Sequence, residues 1–178
     1  SYEKDMEITA RLAAADPGNA GWQRDLSVSH GKIGEVLVAQ GNLAQALAAF
    51  EKSLEIRERL AAADPANAGW QRDLSVSHNK IGDVLVAQGN LPQALASYEK
   101  DMEITARLAA ADPGNAGWQR DLSVSHEKIG YAHELMDNLD DALTNYEETF
   151  EPRMKLTKMD STNIDDRRSV ACYYDRIA

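Results

Sequence analysis

A repeat of 48 residues is the feature that most constrains this chain of 178 residues. The segment WQRDLSVSH begins at Trp22 and recurs unchanged at Trp70 and Trp118. Residues 1–30 also match residues 97–126 at every position, two periods later. Copies this similar indicate either a tandem duplication or an engineered array. Because the repeats of an array pack mainly on their neighbours, the period predicts the organisation of the whole chain.

Each repeat is predicted to contain two helices, which we call helix A and helix B. In the first full repeat, Asn19 is placed to cap helix A, and Gly41 ends it because glycine can adopt the left-handed conformation there. Asn42 then caps helix B, which ends at Asp64 since the residue before a proline disfavours helical geometry. With the same signals in the other repeats, the chain reads as about eight antiparallel helices of roughly 18 to 21 residues and no strand.

The third repeat departs from the other two after Gly130, as a terminal capping repeat does. It carries Pro152 where the second repeat has Ile104, so a kink or break is expected near Phe150. A last helix A is predicted from about Asn163. The predicted organisation is one array with the segments 1–15, 16–63, 64–111, 112–159 and 160–178, of which the first and last are partial repeats.

Large and small residues recur at fixed spacings. The first full repeat has His30-x2-Ile33-Gly34-x2-Leu37 followed by Ala46-x3-Phe50. This pattern resembles the tetratricopeptide repeat signature, W-x2-L-G-x2-Y followed by A-x3-F, with His for Trp and Leu for Tyr. The resemblance implies an all-α, right-handed superhelical solenoid of antiparallel helix pairs. The period exceeds the family's roughly 34 residues by about seven in each helix, or two turns, so the chain is similar to the long-helix repeats of kinesin light chains.

Composition and charge limit the classes of molecule that this chain is expected to bind. The formal net charge is −10, from 19 basic and 29 acidic residues, which disfavours nucleic acid and anionic membranes as partners. The chain contains no apolar run long enough to span a bilayer and no signal-peptide pattern. The single cysteine, Cys172, excludes an intramolecular disulfide and a cysteine zinc site, which favours a reducing, cytoplasmic location.

An enzyme-like cluster, Asp25, Ser27, Ser29 and His30, recurs in each repeat. On a helix, however, Ser29 and His30 point about 100° apart, and Asp25 shares a face with Ser29 but not with His30. His30 also stands at a signature position that faces the core, and the three tryptophans are interpreted as core anchors. We therefore predict no catalytic, cofactor-binding or metal-binding residues.

The face of helix A that packs on neither helix B nor the next repeat lines the concave groove in the family that the sequence resembles. A peptide or protein partner with basic and apolar side chains is expected there, because carboxylates stand beside valines and a tyrosine. An alternative interpretation is that these charges are solvated and that Arg24 pairs with acidic neighbours across repeats. The predicted groove residues are Arg24, Val28, Glu35, Val38, Arg72, Asn79, Asp83, Val86, Arg120, Glu127, Tyr131 and Glu134.

The predicted function is thus a non-catalytic protein-interaction scaffold. The alternative is a structural or engineered module that associates end to end as a homo-oligomer through its open terminal helices. The carboxylate-clamp pattern of chaperone adaptors is absent, since Gly31, Glu35 and Asn79 are among the residues at the matching positions.

Overall fold

The computed structural model describes residues 2–159, and within this range the chain is helical, without a strand. The three full repeats supply helices α2 to α8, and α1 is the partial helix B that precedes them. The helices are α1 (Tyr2–Ala15), α2 (Ala20–Ala39), α3 (Leu43–Ala63), α4 (Ala68–Ala87), α5 (Leu91–Ala111), α6 (Ala116–Leu135), α7 (Leu139–Glu148) and α8 (Phe150–Met159). The predicted all-α arrangement of adjacent helix pairs is confirmed, as are helix lengths of 20 and 21 residues in α2 to α6.

The predicted start of helix A is confirmed in all three full repeats. The side chain of Asn19 accepts a hydrogen bond from the backbone N–H of Trp22 at 3.1 Å, and Asn67 and Asn115 make the equivalent bond. Gly41 has a φ of 77°, the left-handed conformation that ends helix A. Asn42 stands at the N-cap position of helix B, as predicted, although its side chain makes no hydrogen bond to the helix.

Close contact between the paired helices explains the small residues of the pattern. Ala46 is completely buried. A Cβ atom added to Gly34 would lie 2.8 Å from the ring of Phe50, and one added to Gly130 would lie 2.8 Å from Tyr146. Both glycines therefore allow an aromatic side chain of helix B to lie directly on the backbone of helix A.

A glutamine in each repeat ties helix A to the preceding helix B. The side-chain amide of Gln71 donates to the carbonyl of Ala61 at 3.2 Å, near the end of α3, where helix carbonyls lack partners. Gln23 and Gln119 make the same bond. Gln71 and Gln119 are buried, whereas the adjacent tryptophans, interpreted from sequence as core anchors, are only half-buried.

Helix B of the third repeat is divided at Thr149 into α7 and α8, which confirms the break expected near Phe150. Pro152 has no N–H to donate to the carbonyl of Glu148, so the helical ladder is interrupted there. The predicted last helix, from about Asn163, and Cys172 lie outside the described residues.

The chain divides into two compact units, unit 1 (Ser1–Ser97) and unit 2 (Tyr98–Ala178). The prediction of a single right-handed array stays a prediction. None of the described helices has the length and apolarity that crossing a membrane requires.

Candidate protein-binding groove

In unit 1, helices α2 and α4 both pack against α3, and two adjoining pockets open between them. The first, of about 160 Å³, we call the acidic pocket; it is lined by Glu35, Val38, Phe50, Lys80, Asp83, Val84 and Ala87. The second, of about 200 Å³, we call the arginine pocket; it is lined by Val28, Gly31, Lys32, Glu35, Phe50, Ser53, Arg57, Val76, Ser77 and Lys80. Because three side chains line both pockets, the two form one groove with helix A residues on its sides and α3 at its floor.

Four of the predicted groove residues lie in this groove, namely Val28, Glu35, Val38 and Asp83. The lining of the two pockets does not include Arg24, Arg72, Asn79 or Val86. Sequence reasoning missed the floor, which Phe50, Ser53 and Arg57 of α3 supply, because it assigned the groove to helix A alone.

Arg24 is engaged in an ion pair across repeats, as the alternative interpretation stated. Its Nε and Nη2 donate to the two carboxylate oxygens of Asp73, at 2.5 and 3.3 Å. This hydrogen bond and the charge of Asp73 raise the pKa of Arg24. Asp73 is the copy of Asp25 in the next repeat, so the pair joins α2 to α4.

Lys80 of α4 forms a second link across the groove. Its ammonium lies 3.0 Å from the carboxylate of Glu35 in α2, and both side chains are substantially exposed. An exposed pair of this kind contributes about 0 to 1 kcal/mol and can open for a ligand.

Arg57 lies half-buried at the floor of the arginine pocket. Its Nη1 donates to the backbone carbonyl of Asp73 at 2.6 Å and to the hydroxyl of Ser77 at 3.1 Å, and its Nε donates to the hydroxyl of Ser27 at 3.3 Å. Burial lowers the pKa of Arg57, the charge of Asp73 raises it, and the charge of Arg24 lowers it further. All the acceptors that hold this cation are uncharged groups.

In unit 2 the predicted groove carboxylates are bound within the chain. Glu127 accepts a hydrogen bond of 2.6 Å from Arg153, and Glu134 accepts one of 2.6 Å from the hydroxyl of Tyr146. The predicted groove residue Tyr131 is exposed, with 41% of its surface accessible, so its ring can contact another molecule.

The serines of the enzyme-like cluster bond to the backbone of their own helix. Ser27 donates to the carbonyl of Arg24 at 2.7 Å, and Ser29 donates to that of Asp25 at 3.0 Å. Burial lowers the pKa of His30, with a smaller contribution from the charge of Lys52. Both serine hydroxyls are therefore engaged by the backbone of α2.

The family model of the tetratricopeptide repeat matches residues 31–66, from the second half of α2 to the loop after α3. This segment is therefore similar to a tetratricopeptide repeat. Among solved structures, a crystal structure of MamA is similar at 14% sequence identity and a TM-score of 0.44, over 98% of this chain and 77% of that one. The MamA RS-1 ArsTM double mutant is similar at 15% identity and a TM-score of 0.48, over 99% and 83%. No curated protein matches the sequence.

Proposed function

We propose that this chain is a non-catalytic scaffold that binds a peptide or protein segment in the groove between α2 and α4. The observation that carries the proposal is the pair of adjoining pockets, which present apolar side chains and charges of both signs in one groove. The similarity of residues 31–66 to a tetratricopeptide repeat supports it, because repeats of this kind use their helix surfaces to bind other proteins.

The lining of the acidic pocket fits a basic side chain of the partner. Glu35 and Asp83 outnumber the one cation in the lining, Lys80, and the exposed Val38 adds apolar surface. A lysine or arginine of the partner can lay its aliphatic stem on Val38 and its charge against the carboxylates.

The binding energy would be modest. Exposed ion pairs contribute about 0 to 1 kcal/mol each and are screened by salt, so a short peptide is expected to bind with an affinity of about micromolar order that falls as ionic strength rises.

A random peptide library displayed on phage tests the proposal. Peptides selected on the full chain should lose binding to Asp83→Lys, which reverses a charge in the groove, and to Val38→Asp, which places a charge on its apolar lining. They should keep binding to Glu51→Lys, which reverses an exposed charge on α3 outside the two pockets. Equal loss in all three variants, or in none, would contradict the proposal.

End-to-end association is the second candidate, and one comparison favours it. Ile8 and Leu12 of α1 are 50% and 37% exposed, whereas the matching Ile56 and Leu60 of α3 are buried. An added helix A from a second copy would cover the exposed face. Light scattering tests this, since Ile8→Lys should reduce the mass of such an assembly and leave a monomeric scaffold unchanged.

A further inference from the structure

The first and third repeats place an arginine at the same position of helix B, two periods apart. Arg153 donates from Nε to the hydroxyl of Ser123 at 2.8 Å, and Arg57 donates from Nε to the matching Ser27 at 3.3 Å. The two arginines therefore make the same contact with helix A of their own repeats.

The two arginines differ in the charge of their hydrogen-bond partners, because Arg153 bonds a carboxylate and Arg57 bonds only uncharged groups. In the third repeat, Nη2 of Arg153 donates to the carboxylate of Glu127 at 2.6 Å. The residue that matches Glu127 in the first repeat is Gly31, which has no side chain and lines the arginine pocket. A Cβ atom added to Gly31 would meet only the hydroxyl of Ser53, at an ordinary contact distance of 3.9 Å. The pocket thus occupies the space in which the third repeat holds a carboxylate.

The charge of the pocket agrees with this comparison. Lys32, Arg57 and Lys80 line it together with a single carboxylate, Glu35, although the whole chain carries a net charge of −10. The carboxylate of Asp73 is bonded to Arg24, and Nη2 of Arg57 has no hydrogen bond among residues 2–159. A half-buried cation that bonds only neutral groups gains most from an anionic ligand.

We propose that the arginine pocket binds a carboxylate of the partner, an aspartate or glutamate side chain of the bound peptide, which takes the place that Glu127 holds in the third repeat. The proposal rests on the proposed function for the identity of the partner as a peptide. It adds an acidic residue to the basic and apolar residues that fit the acidic pocket beside it.

A direct probe of the pocket is N-acetyl-glutamate N-methylamide, titrated into the 15N-labelled full chain at constant ionic strength, with the glutamine analogue as control. The Nε–Hε signal of Arg57 should shift with the glutamate compound only, and the signal of Arg153, which has its own carboxylate, should stay in place. Gly31→Glu should abolish the Arg57 shift, because it supplies the carboxylate from within, whereas Gly31→Ala, whose Cβ meets only the hydroxyl of Ser53 at 3.9 Å, should preserve it. No shift at Arg57, or equal shifts at Arg153 or in Gly31→Glu, would overturn the proposal.

Groove-binding peptides provide the second arm. In such a peptide, replacing the acidic residue by its amide should weaken binding to the wild type about tenfold, the scale of one charge-assisted hydrogen bond. The same replacement should have little effect on Gly31→Glu or on Arg57→Thr, which copies the residue found at Thr105. If peptides bind in the groove but this coupling is absent, the carboxylate site is wrong and the scaffold function stands. If no peptide depends on the groove, the scaffold function fails, and the titration still decides the carboxylate site.

Discussion

Helix B is one continuous helix in the first repeat and two shorter helices in the third, yet the contacts around it are conserved. In both repeats a glycine of helix A faces an aromatic ring of helix B, in the pairs Gly34 with Phe50 and Gly130 with Tyr146. Beyond the break at Thr149, Arg153 still reaches the same serine position as Arg57 does. Close side-chain contacts on both sides of the break therefore fix how helix B lies along helix A. The backbone can lose hydrogen bonds at the break without a shift of one helix along the other.

The largest effect is expected when the proline of the third repeat is introduced into the first. Ile56→Pro places the proline of the third repeat at the matching position of α3, where it removes a helical hydrogen bond and a buried side chain. We expect a loss of about 3 kcal/mol or more, measured by urea unfolding. Pro152→Ala should act in the opposite direction by less than about 3 kcal/mol, because the third repeat has already adapted to the break. A harmless Ile56→Pro would show that continuity of α3 is unimportant.

Overpacking at the glycine contacts comes next. Gly34→Leu should destabilise the chain by about 1 to 3 kcal/mol, because its Cβ alone would lie 2.8 Å from Phe50, and Ala46→Leu should act similarly. Gly130→Leu should match Gly34→Leu, since Tyr146 lies equally close. Gly31→Ala is the control on the same helix; because its Cβ would make only an ordinary contact of 3.9 Å with Ser53, a gain of about 0.5 to 1 kcal/mol is expected. Equal thermal midpoints for Gly34→Leu and the wild type would remove this glycine from the interface.

The turn between the helices differs as well. Gly41 occupies the left-handed conformation in the first repeat, and Asp137, with a φ of 61°, occupies it in the third. Asp137→Gly should stabilise the chain and Gly41→Asp should destabilise it, each by about 1 kcal/mol, because only glycine adopts this conformation without strain. Chemical denaturation measures both, and a gain from Gly41→Asp would contradict the explanation.

The smallest effect concerns pH. Burial lowers the pKa of His30, with Lys52 adding to the shift, and it lowers the pKa of His126 against the opposing effect of Glu148 and a hydrogen bond to Asn145. The unfolded chain then binds protons at a higher pH than the folded chain does. Stability is therefore full above a pH of about 6.5 and declines as the pH falls below it towards the folded-state pKa. His30→Gln should flatten this decline, and an unchanged slope would show that His30 does not contribute.

The repeat period made most of the fold predictable. Helix lengths, the asparagine caps of helix A, the left-handed glycine and the break near Pro152 all depend on local rules that act within a few residues. The buried hydrogen bonds of Gln71 and the floor position of Arg57 did not follow from those rules, because they join residues of different helices. For the groove, sequence position predicted Glu35 as a lining residue but not its ion pair with Lys80, since an ion pair is decided by distances between helices that periodicity leaves open. The signal that could have found the arginine pocket was present in the alignment of repeats, in which Gly31 matches Glu127 while the arginine is retained.

Photo-crosslinking is the most direct test of whether a partner lies in the groove between α2 and α4. A benzophenone amino acid is placed at Val38, which lines the acidic pocket, or at Glu51, which lies on α3 outside both pockets, and a selected peptide is added. We expect a crosslink from position 38 and none from position 51. A crosslink from position 51 alone, or equal crosslinks from both, would contradict it.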